Sequence, residues 1–365
     1  MSARFLTVVL ERAFNMRDGF GREIDYMRIS VIDSCNLNCY YCNPCDNNEH
    51  CHALNILSVK EVLCIVRAAT RLGIKHFRLT GGEPLLHPQL DEMVLQIKKI
   101  PGVSSVSLTT NAVLLVQHAK WLKEAGIDSI NVSLDTIEAS EYERITKKPL
   151  LEEVKHGINA AIECGIRVKI NVVLTPQTDV VALTRYVAKK GTDIRFIEMM
   201  PVGEGHTNGV EPYKKVIGTL SKLYGEPCRI NTEKTKEINS GNDKRKIPDN
   251  GPAEYYIFPE LGIRVGLIQA IHGKFCDTCN RIRVTADGRL MPCLGSSVTM
   301  DLVPDSWDFA DDVEKDFAIV RALRAAIKAK PGCHNFNDNA VTYTKTTEIE
   351  AAEVNAARNM SRIGG

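Results

Sequence analysis

An alternation of short apolar runs with helical stretches, from residue 27 to about residue 200, most constrains the fold of this chain. The apolar runs are rich in Val and Ile on both faces and cover residues 27–33, 77–80, 105–109, 129–134, 168–174 and 194–197. Such runs are typical of parallel strands buried between helices. Helices are predicted over residues 58–72, 90–100, 114–125 and 154–164, and a capping box of Ser58 and Glu61 opens the first of them. These strand–helix units predict an α/β fold, a partial (βα)6 TIM-like barrel, although the periodicity alone also allows an open parallel sheet.

The pattern changes after Pro201, which suggests a division of the chain. We predict an N-terminal segment (1–26), a barrel (27–200) and a C-terminal domain (201–365). In the C-terminal domain, helices are predicted at 213–223 and 316–330, and a polar, charged stretch at 232–252 predicts an exposed loop. Strand-like runs lie at 255–258, 263–268 and 282–285.

Composition argues against several classes of function. The 365 residues carry a net charge of +1 at pH 7, which argues against a broad nucleic-acid-binding surface. No apolar run approaches the roughly 18 residues of a membrane span, and the start of the chain lacks a secretory pattern. The twelve cysteines are not spaced like a disulfide framework. We therefore expect a cytoplasmic protein that binds neither nucleic acid nor membranes.

The first cysteine trio follows the first apolar run directly. Cys35, Cys39 and Cys42 form a C-x3-C-x2-C motif, which a single loop can wrap around a soft-metal centre. Cysteine thiolates are the usual ligands of iron–sulfur clusters, and three of them leave one iron of a four-iron cluster open. Zinc with one further ligand, or three unrelated buried thiols, are the alternative interpretations.

A second cysteine trio, Cys276, Cys279 and Cys293, again supplies three thiols and predicts a second cluster with an open iron. The alternatives are a zinc site completed by Cys333, or structural thiols. Arg281 and Arg283 alternate on a predicted strand and so face one way, which favours recognition of an anion, plausibly a phosphate. They could instead offset the charge of the cluster or pair with acids.

Polar residues and glycines collect where the predicted strands end, which is where parallel barrels carry their chemistry. In Gly81-Gly82-Glu83-Pro84 the glycines would let the backbone approach a ligand, although a plain turn is the simpler interpretation of this motif alone. In chain order the groups are the first cysteine trio, Gly81-Gly82-Glu83-Pro84, Thr109-Thr110-Asn111, Ser133 with Asp135, Lys169 with Asn171, and Glu198 with Met200.

Taken in order, these motifs resemble one family, the radical S-adenosylmethionine (SAM) GTP 3′,8-cyclases of molybdenum cofactor biosynthesis. The resemblance covers about residues 21–289 densely, together with the last few residues. The block around the second trio and the terminal Gly364 and Gly365 are far more specific to this family than the first trio, which resembles the signature of the whole radical SAM superfamily. The matching stretches are CNLNCYYC, RLTGGEPLL, LTTN, INVSLD, VKINVV, RFIEMMPVG, FCDTCNRIRVTADGRL and the terminal RIGG.

The resemblance implies roles for residues at matching positions. The first trio would hold the cluster that binds SAM, and the second trio a cluster whose open iron takes the guanine. The terminal Gly364 and Gly365 would enter the active site, where Arg281 and Arg283 would also be catalytic. SAM would contact Tyr41, Gly82, Ser133 and Met200. GTP would contact Arg28, Arg78, Thr109, Lys169, Arg281 and Arg283.

The implied reaction begins with a 5′-deoxyadenosyl radical that abstracts the ribose 3′ hydrogen of GTP, after which the carbon radical closes onto guanine carbon 8. Such a step depends on positioning and on exclusion of water. The implied cofactors are two 4Fe-4S clusters and SAM. The implied partners are GTP, an electron donor such as flavodoxin or ferredoxin, the downstream cyclic pyranopterin monophosphate synthase and, as one possible assembly, a second copy of the chain. Both trios should line one shared cavity.

The sequence departs from the family in two places. Cys45, His50, Cys51 and His52 follow the first trio, and we interpret them as part of a variable loop. Where the family has Asn-Gly, this chain has Asn111 followed by Ala112. Because alanine disfavours positive φ, the sequence gives no reason to expect a turn with positive φ at this position. Two other functions remain open: a two-cluster paralogue that modifies a peptide, and a non-catalytic zinc or iron-storage module.

Overall fold

The computed structural model describes residues 16–42, 55–202, 210–230, 251–258, 260–296, 298–302, 312–334 and 336. Within these residues the strands form one sheet of twelve. Their bounds are β1 Tyr26–Ser30, β2 His76–Thr80, β3 Ser105–Thr110, β4 Ser129–Ser133, β5 Val168–Val173, β6 Asp193–Ile197, β7 Cys228–Arg229, β8 Glu254–Ile257, β9 Arg264–Ile268, β10 Arg281–Val284, β11 Arg289–Met291 and β12 Met300–Asp301.

Helices connect the parallel strands, as the sequence predicts. Short 3₁₀ helices cover Pro84–Leu86 and Cys276–Thr278, and a π-helical turn covers Tyr213–Ile217. The α-helices are α1 Val59–Arg71, α2 Leu90–Lys98, α3 Leu115–Glu124, α4 Ala139–Thr146, α5 Leu151–Glu163, α6 Val180–Lys189, α7 Gly218–Tyr224 and α8 Asp312–Lys328.

The sheet is a curved, unclosed barrel with strands added at both edges. Its order is β12-β11-β10-β1-β2-β3-β4-β5-β6-β9-β8-β7, in which β10, β1 to β6 and β9 are parallel neighbours. Side chains of β6 and β10, which lie six places apart in this order, line the same cavity, so the sheet must curve around it. The partial barrel is confirmed, and the C-terminal extension continues both of its edges.

Helix α1 begins as predicted. Its N-cap Ser58 accepts a hydrogen bond from the Glu61 amide at 3.3 Å, and the Glu61 carboxylate accepts one from the Ser58 amide at 2.7 Å. The sequence analysis missed α4 and α6. Helix α4 is only eight residues long and buries three of them, so its periodicity is weak, whereas α6 opens with two β-branched valines that resemble a strand.

Helix α8 closes the core on the side of α1. Its Ile319, Leu323 and Ile327 are fully buried, and its Asp316 pairs with Arg71 of α1 at 2.8 Å. This packing fixes the chain just before residue 330, next to the second cysteine trio. None of the helices in the described residues is long and apolar enough to cross a membrane.

Candidate active site

A cavity of about 770 Å³ lies inside the curved sheet. Both cysteine trios line it, as the sequence analysis requires, together with side chains from β1 to β6 and from β10. Every predicted site residue within the described part of the chain also lines this cavity. The terminal Gly364 and Gly365, and the departing residues Cys45, Cys51 and their neighbouring histidines, lie outside the described residues.

The loop of the first trio is held against the end of α4 by backbone hydrogen bonds. The amide of Asn38 donates to the carbonyl of Thr146 at 3.0 Å, and the amide of Tyr40 donates to the carbonyl of Ile145 at 3.1 Å. Helix α4 therefore positions the segment around Cys39.

The thiols of the first trio lie in surroundings that disfavour a free thiolate. Burial raises the pKa of Cys35 to about 11 and that of Cys42 to about 12, and it also raises the pKa of Cys39. The carboxylates of Glu83 and Asp135 act in the same direction on these thiols. Coordination to a metal would supply the positive charge that favours thiolates here.

Tyr41 is turned into the cavity by Asp135, which follows β4. The Tyr41 hydroxyl donates to one carboxylate oxygen of Asp135, and the amide of Val173 donates to the other at 2.8 Å. Burial raises the pKa of Asp135 to about 6. The cysteine loop is thus linked through one buried carboxyl group to the end of β5.

Gly82 sits where two backbones meet. Its amide donates to the carbonyl of Ile32 at 2.8 Å, and a Cβ at this position would overlap the carbonyl oxygens of Asp33 and Ser34. The sequence analysis expects this glycine to let the backbone approach a ligand; the group that it approaches in the structure is the chain just before Cys35. Glycine is required because any side chain would displace the cysteine loop.

Glu83 is fully buried and fixes the end of β3. Its carboxylate accepts hydrogen bonds from the Thr110 hydroxyl and the Asn111 amide, both at 2.7 Å, and from the Leu85 amide at 3.0 Å. Burial raises its pKa to about 7. The Asn111 side chain in turn lies 3.8 Å from the Cys35 sulfur, so Glu83 orients a residue that touches the trio.

Two further predicted residues lie at the carboxyl ends of the strands. Ser133 ends β4, and Met200 follows β6. The segment before Met200 is fixed by Glu198, a buried carboxylate that accepts a hydrogen bond from the Ile271 amide at 2.7 Å. This bond ties the Met200 segment to the loop after β9.

Three arginines lie side by side across neighbouring strands. Arg28 of β1 is in register with Arg283 of β10 and with Arg78 of β2. Arg78 donates to the Tyr26 hydroxyl and, at 3.3 Å, to the Thr109 hydroxyl. Burial, reinforced by neighbouring arginines, holds the pKa of Arg28 well below its usual value and lowers that of Arg283 to about 10. This concentration of buried positive charge suits an anionic ligand.

The opposite wall adds Lys169 and a residue that the sequence analysis missed. Lys169 of β5 is buried, with its ammonium 6.0 Å from the centre of the Tyr255 ring. Arg195 of β6 is buried, lines the cavity and donates from Nε to Asn171 at 3.0 Å. The sequence feature that could have identified Arg195 is its position inside a buried strand that ends at the site.

The second trio is assembled from separate segments. Cys276 begins a short 3₁₀ helix, Cys279 directly follows that helix, and Cys293 lies two residues after β11. Although burial raises the pKa of the Cys279 thiol, Arg281 and Lys330 lower it below its ordinary value. For Cys276, by contrast, burial raises the pKa.

Arg281 and Arg283 both face the cavity, as their alternation predicts. The guanidinium of Arg281 stacks on the Phe275 ring at 5.3 Å from its centre. Within the described chain, the Nε atoms of Arg281 and Arg283 are buried and have no hydrogen-bond partner. Since buried donors are normally satisfied, these two fit a bound anion.

The donor sets fit iron–sulfur clusters, because each trio offers thiols alone around a cavity of adequate size. In the residues described, no three His, Cys, Asp or Glu side chains are arranged to hold a single metal ion. Cys333, the proposed fourth ligand of a zinc site, has an exposed side chain.

Two family models match successive parts of the chain. The Radical SAM superfamily model matches residues 29–182, and the Molybdenum Cofactor Synthesis C model matches residues 192–336. The crystal structure of Streptococcus suis SuiB bound to S-adenosylmethionine has a TM-score of 0.54 and 15% identity, and covers 82% of this chain and 65% of SuiB. At this identity the likeness concerns the fold alone.

Curated proteins are similar over most of the sequence. A GTP 3′,8-cyclase from Clostridium perfringens is 35% identical over 324 residues, which make up 88% of this chain and 95% of that protein. One from Petrotoga mobilis is 34% identical over 357 residues, which make up 96% of this chain and 100% of that protein. Together with the two cysteine trios on one cavity, these similarities establish that the chain belongs to the GTP 3′,8-cyclase family of radical SAM enzymes.

Proposed function

We propose that this enzyme converts GTP into (8S)-3′,8-cyclo-7,8-dihydro-GTP, an early step of molybdenum cofactor biosynthesis. The observation that carries the proposal is the cavity lined by both cysteine trios and by a row of arginines on neighbouring strands. The full-length similarity to proteins named GTP 3′,8-cyclase supports the same reaction.

The two cysteine trios are the proposed cluster ligands. Each trio leaves one iron of a 4Fe-4S cluster without a protein ligand. When bound, the first cluster supplies the electron that releases a 5′-deoxyadenosyl radical from SAM, and this radical abstracts the ribose 3′ hydrogen of GTP. The first cluster is assigned to Cys35, Cys39 and Cys42, and the second to Cys276, Cys279 and Cys293.

SAM is assigned to the end of the cavity around the first trio. Asp135, an acidic group that lines this end, suits a ligand with a positive sulfonium and a positive amino group. Tyr41 is oriented by its bond to Asp135. The remaining contacts are assigned to Gly82, Ser133 and Met200, which lie around the same end of the barrel.

GTP is assigned to the cationic part of the cavity. Buried arginine and lysine side chains bind phosphate oxygens strongly because both charge and hydrogen bonds contribute. Arg281 and Arg283, next to the second trio, are assigned a catalytic role in holding the nucleotide, and Gly364 and Gly365 of the C-terminal tail are assigned to the same site. The contacts with GTP are assigned to Arg28, Arg78, Thr109, Lys169, Arg281 and Arg283.

The contribution of the protein to this reaction is positioning. The ribose carbon and guanine carbon 8 belong to one molecule, so the walls must hold a single conformation while excluding water. Stacking of Arg281 on Phe275 and the bond from Arg78 to Thr109 restrict the cationic side chains in this way.

The proposal extends to partners and organisation. It includes an electron donor such as flavodoxin or ferredoxin, transfer of the product to cyclic pyranopterin monophosphate synthase, a cytoplasmic location and a homodimer. It also keeps the division into residues 1–26, 27–200 and 201–365.

Anaerobic incubation of the reconstituted enzyme with SAM, dithionite and GTP tests the proposal. Mass analysis should detect 5′-deoxyadenosine and an isomer of GTP in comparable amounts. Cleavage of SAM without a GTP isomer, together with GTP binding unchanged in an Arg281→Ala, Arg283→Ala variant, would favour a peptide substrate. Zinc binding with no SAM cleavage would favour a storage module.

A further inference from the structure

Lys330 is a buried cation beside the second trio that has no role in the reaction as described. It lies just after α8, and only 3% of its surface is exposed. Its Nζ donates to the carbonyl of Arg281 at 2.8 Å and to the carbonyl of Pro292 at 2.9 Å. Its ammonium also interacts electrostatically with the thiols of Cys279 and Cys293.

These acceptors belong to the two segments that carry Cys279 and Cys293. Arg281 follows Cys279 by two positions, and Pro292 directly precedes Cys293. An ammonium group has three N–H donors, and the two carbonyls take two of them. Lys330 therefore bridges two ligand-bearing segments from a third segment of the chain.

The charge of Lys330 is directed at the trio. A buried ammonium normally requires an anionic partner. Its hydrogen-bond acceptors within the described residues are two carbonyls, with no carboxylate among them, and the thiols of Cys279 and Cys293 lie within range of its charge. Arg22, which bonds the carbonyls of Cys276 at 2.7 Å and Gly332 at 3.0 Å, is instead neutralised by Asp18 at 2.5 Å.

We propose that Lys330 is a positioning residue for the second cluster: it fixes the spacing of the Cys279 and Cys293 segments and places a positive charge against the ligand sulfurs. The proposal rests on the second cluster of the proposed function. Hydrogen bonds and positive charge at ligand sulfurs stabilise the reduced cluster and raise its reduction potential. Removal of Lys330 should therefore affect the second cluster and leave the first intact.

Two substitutions separate the bridge from the charge. Lys330→Met removes both the bridging hydrogen bonds and the charge. The iron content of this variant should fall from about eight to about four per chain. The variant should still cleave SAM in the absence of GTP. Lys330→Gln keeps amide donors without the charge, so it should retain about eight irons, while the midpoint potential of its second cluster falls below that of the wild type. Lys328→Met, at an exposed position two residues earlier, is the matched control and should resemble the wild type.

The measurements are iron per chain, electron paramagnetic resonance of each reduced cluster, and a redox titration of the second cluster. Full iron content and an unchanged second-cluster potential in both Lys330 variants would overturn the proposal. Equal loss of both clusters would also overturn it, because it would indicate a general folding role. If Lys330→Met does not fold, the potential of the Gln variant decides. A wild-type chain that binds only about four irons would overturn the proposed second cluster itself.

Discussion

The two cysteine trios supply the same ligands in opposite electrostatic surroundings. Around the first trio, burial raises the thiol pKa values and the carboxylates of Glu83 and Asp135 add to the effect. Around the second trio, Arg281 and Lys330 lower the pKa of Cys279 despite its burial. The difference fits the charges of the proposed ligands, since SAM carries a sulfonium and GTP carries phosphates.

The trios also differ in how the chain assembles them. The first occupies one short loop, which backbone bonds fasten to α4. The second combines Cys276 and Cys279 at a 3₁₀ helix with Cys293, two residues after β11, and Lys330 bridges their segments. A contiguous loop can be recognised from spacing alone, whereas the second site depends on distant segments. Substitutions in the two regions should therefore affect different properties, SAM cleavage in the first region and GTP conversion in the second.

The largest expected difference comes from removing one ligand of each trio. Cys42→Ser should lose the first cluster and all SAM cleavage, because no electron can then reach the sulfonium. Cys279→Ser should keep SAM cleavage and lose formation of the GTP isomer. Each variant should bind about four irons rather than about eight.

The control for this pair is Cys228→Ser, which alters an exposed thiol outside the cavity and should change neither iron content nor activity. Loss of SAM cleavage in Cys279→Ser would contradict the separation of the two trios.

A smaller but still severe effect is expected at Gly82. A methyl group in Gly82→Ala would overlap the carbonyls of Asp33 and Ser34. Relief by moving the cysteine loop should cost about 1–3 kcal/mol and slow SAM cleavage by roughly 100-fold.

Gly218→Ala is the matched control, since no atom lies within 4 Å of a Cβ there. SAM cleavage at the wild-type rate in Gly82→Ala, measured by 5′-deoxyadenosine formation, would show that the loop is not held as tightly as the geometry indicates.

Next in size is the effect of Arg281→Ala on the second region. Loss of one charge-assisted contact of about 1.5–3 kcal/mol should weaken GTP binding by roughly 10- to 100-fold. SAM affinity should stay within a factor of about two, because Arg281 lies among the cations near the second trio and not among the acids of the first.

Equilibrium dialysis with each ligand measures both affinities. Lys274→Ala, which alters a neighbouring exposed cation outside this cavity, is the control. An equal loss of both affinities in Arg281→Ala would remove the distinction between the two ends of the cavity.

The sequence predicted the parts of this site that follow from local patterns. Six buried strands and the capping box at Ser58 are local signals, and the structure confirms them. An arginine inside a buried strand that ends at the site was a signal for Arg195, but its contact with the cavity arises only because the sheet curves, so the residue was missed. Lys330 was assigned only to a helix, because its partners Arg281 and Pro292 lie 49 and 38 residues away in the chain.

The smallest expected effect concerns the turn after β3 in the first region. Ala112 has φ of 66° and is fully buried, although alanine there gave no reason to expect positive φ. Ala112→Gly should relieve about 1–2 kcal/mol of strain in this left-handed conformation, which stabilises the folded state. The substitution also gives the unfolded chain more entropy and removes a buried methyl group, and both changes destabilise the folded state by a similar amount. The free energy of unfolding should therefore change by less than about 1 kcal/mol.

Ala119→Gly provides the comparison, because Ala119 is equally buried but lies inside helix α3. It should lose about 1–2 kcal/mol, from helix propensity and the same missing methyl group. Anaerobic denaturant unfolding of both variants measures the difference. An equal loss of unfolding free energy in both variants would mean that the backbone of Ala112 is unstrained. The turn beside Asn111, which contacts the first trio, would then not favour glycine over alanine.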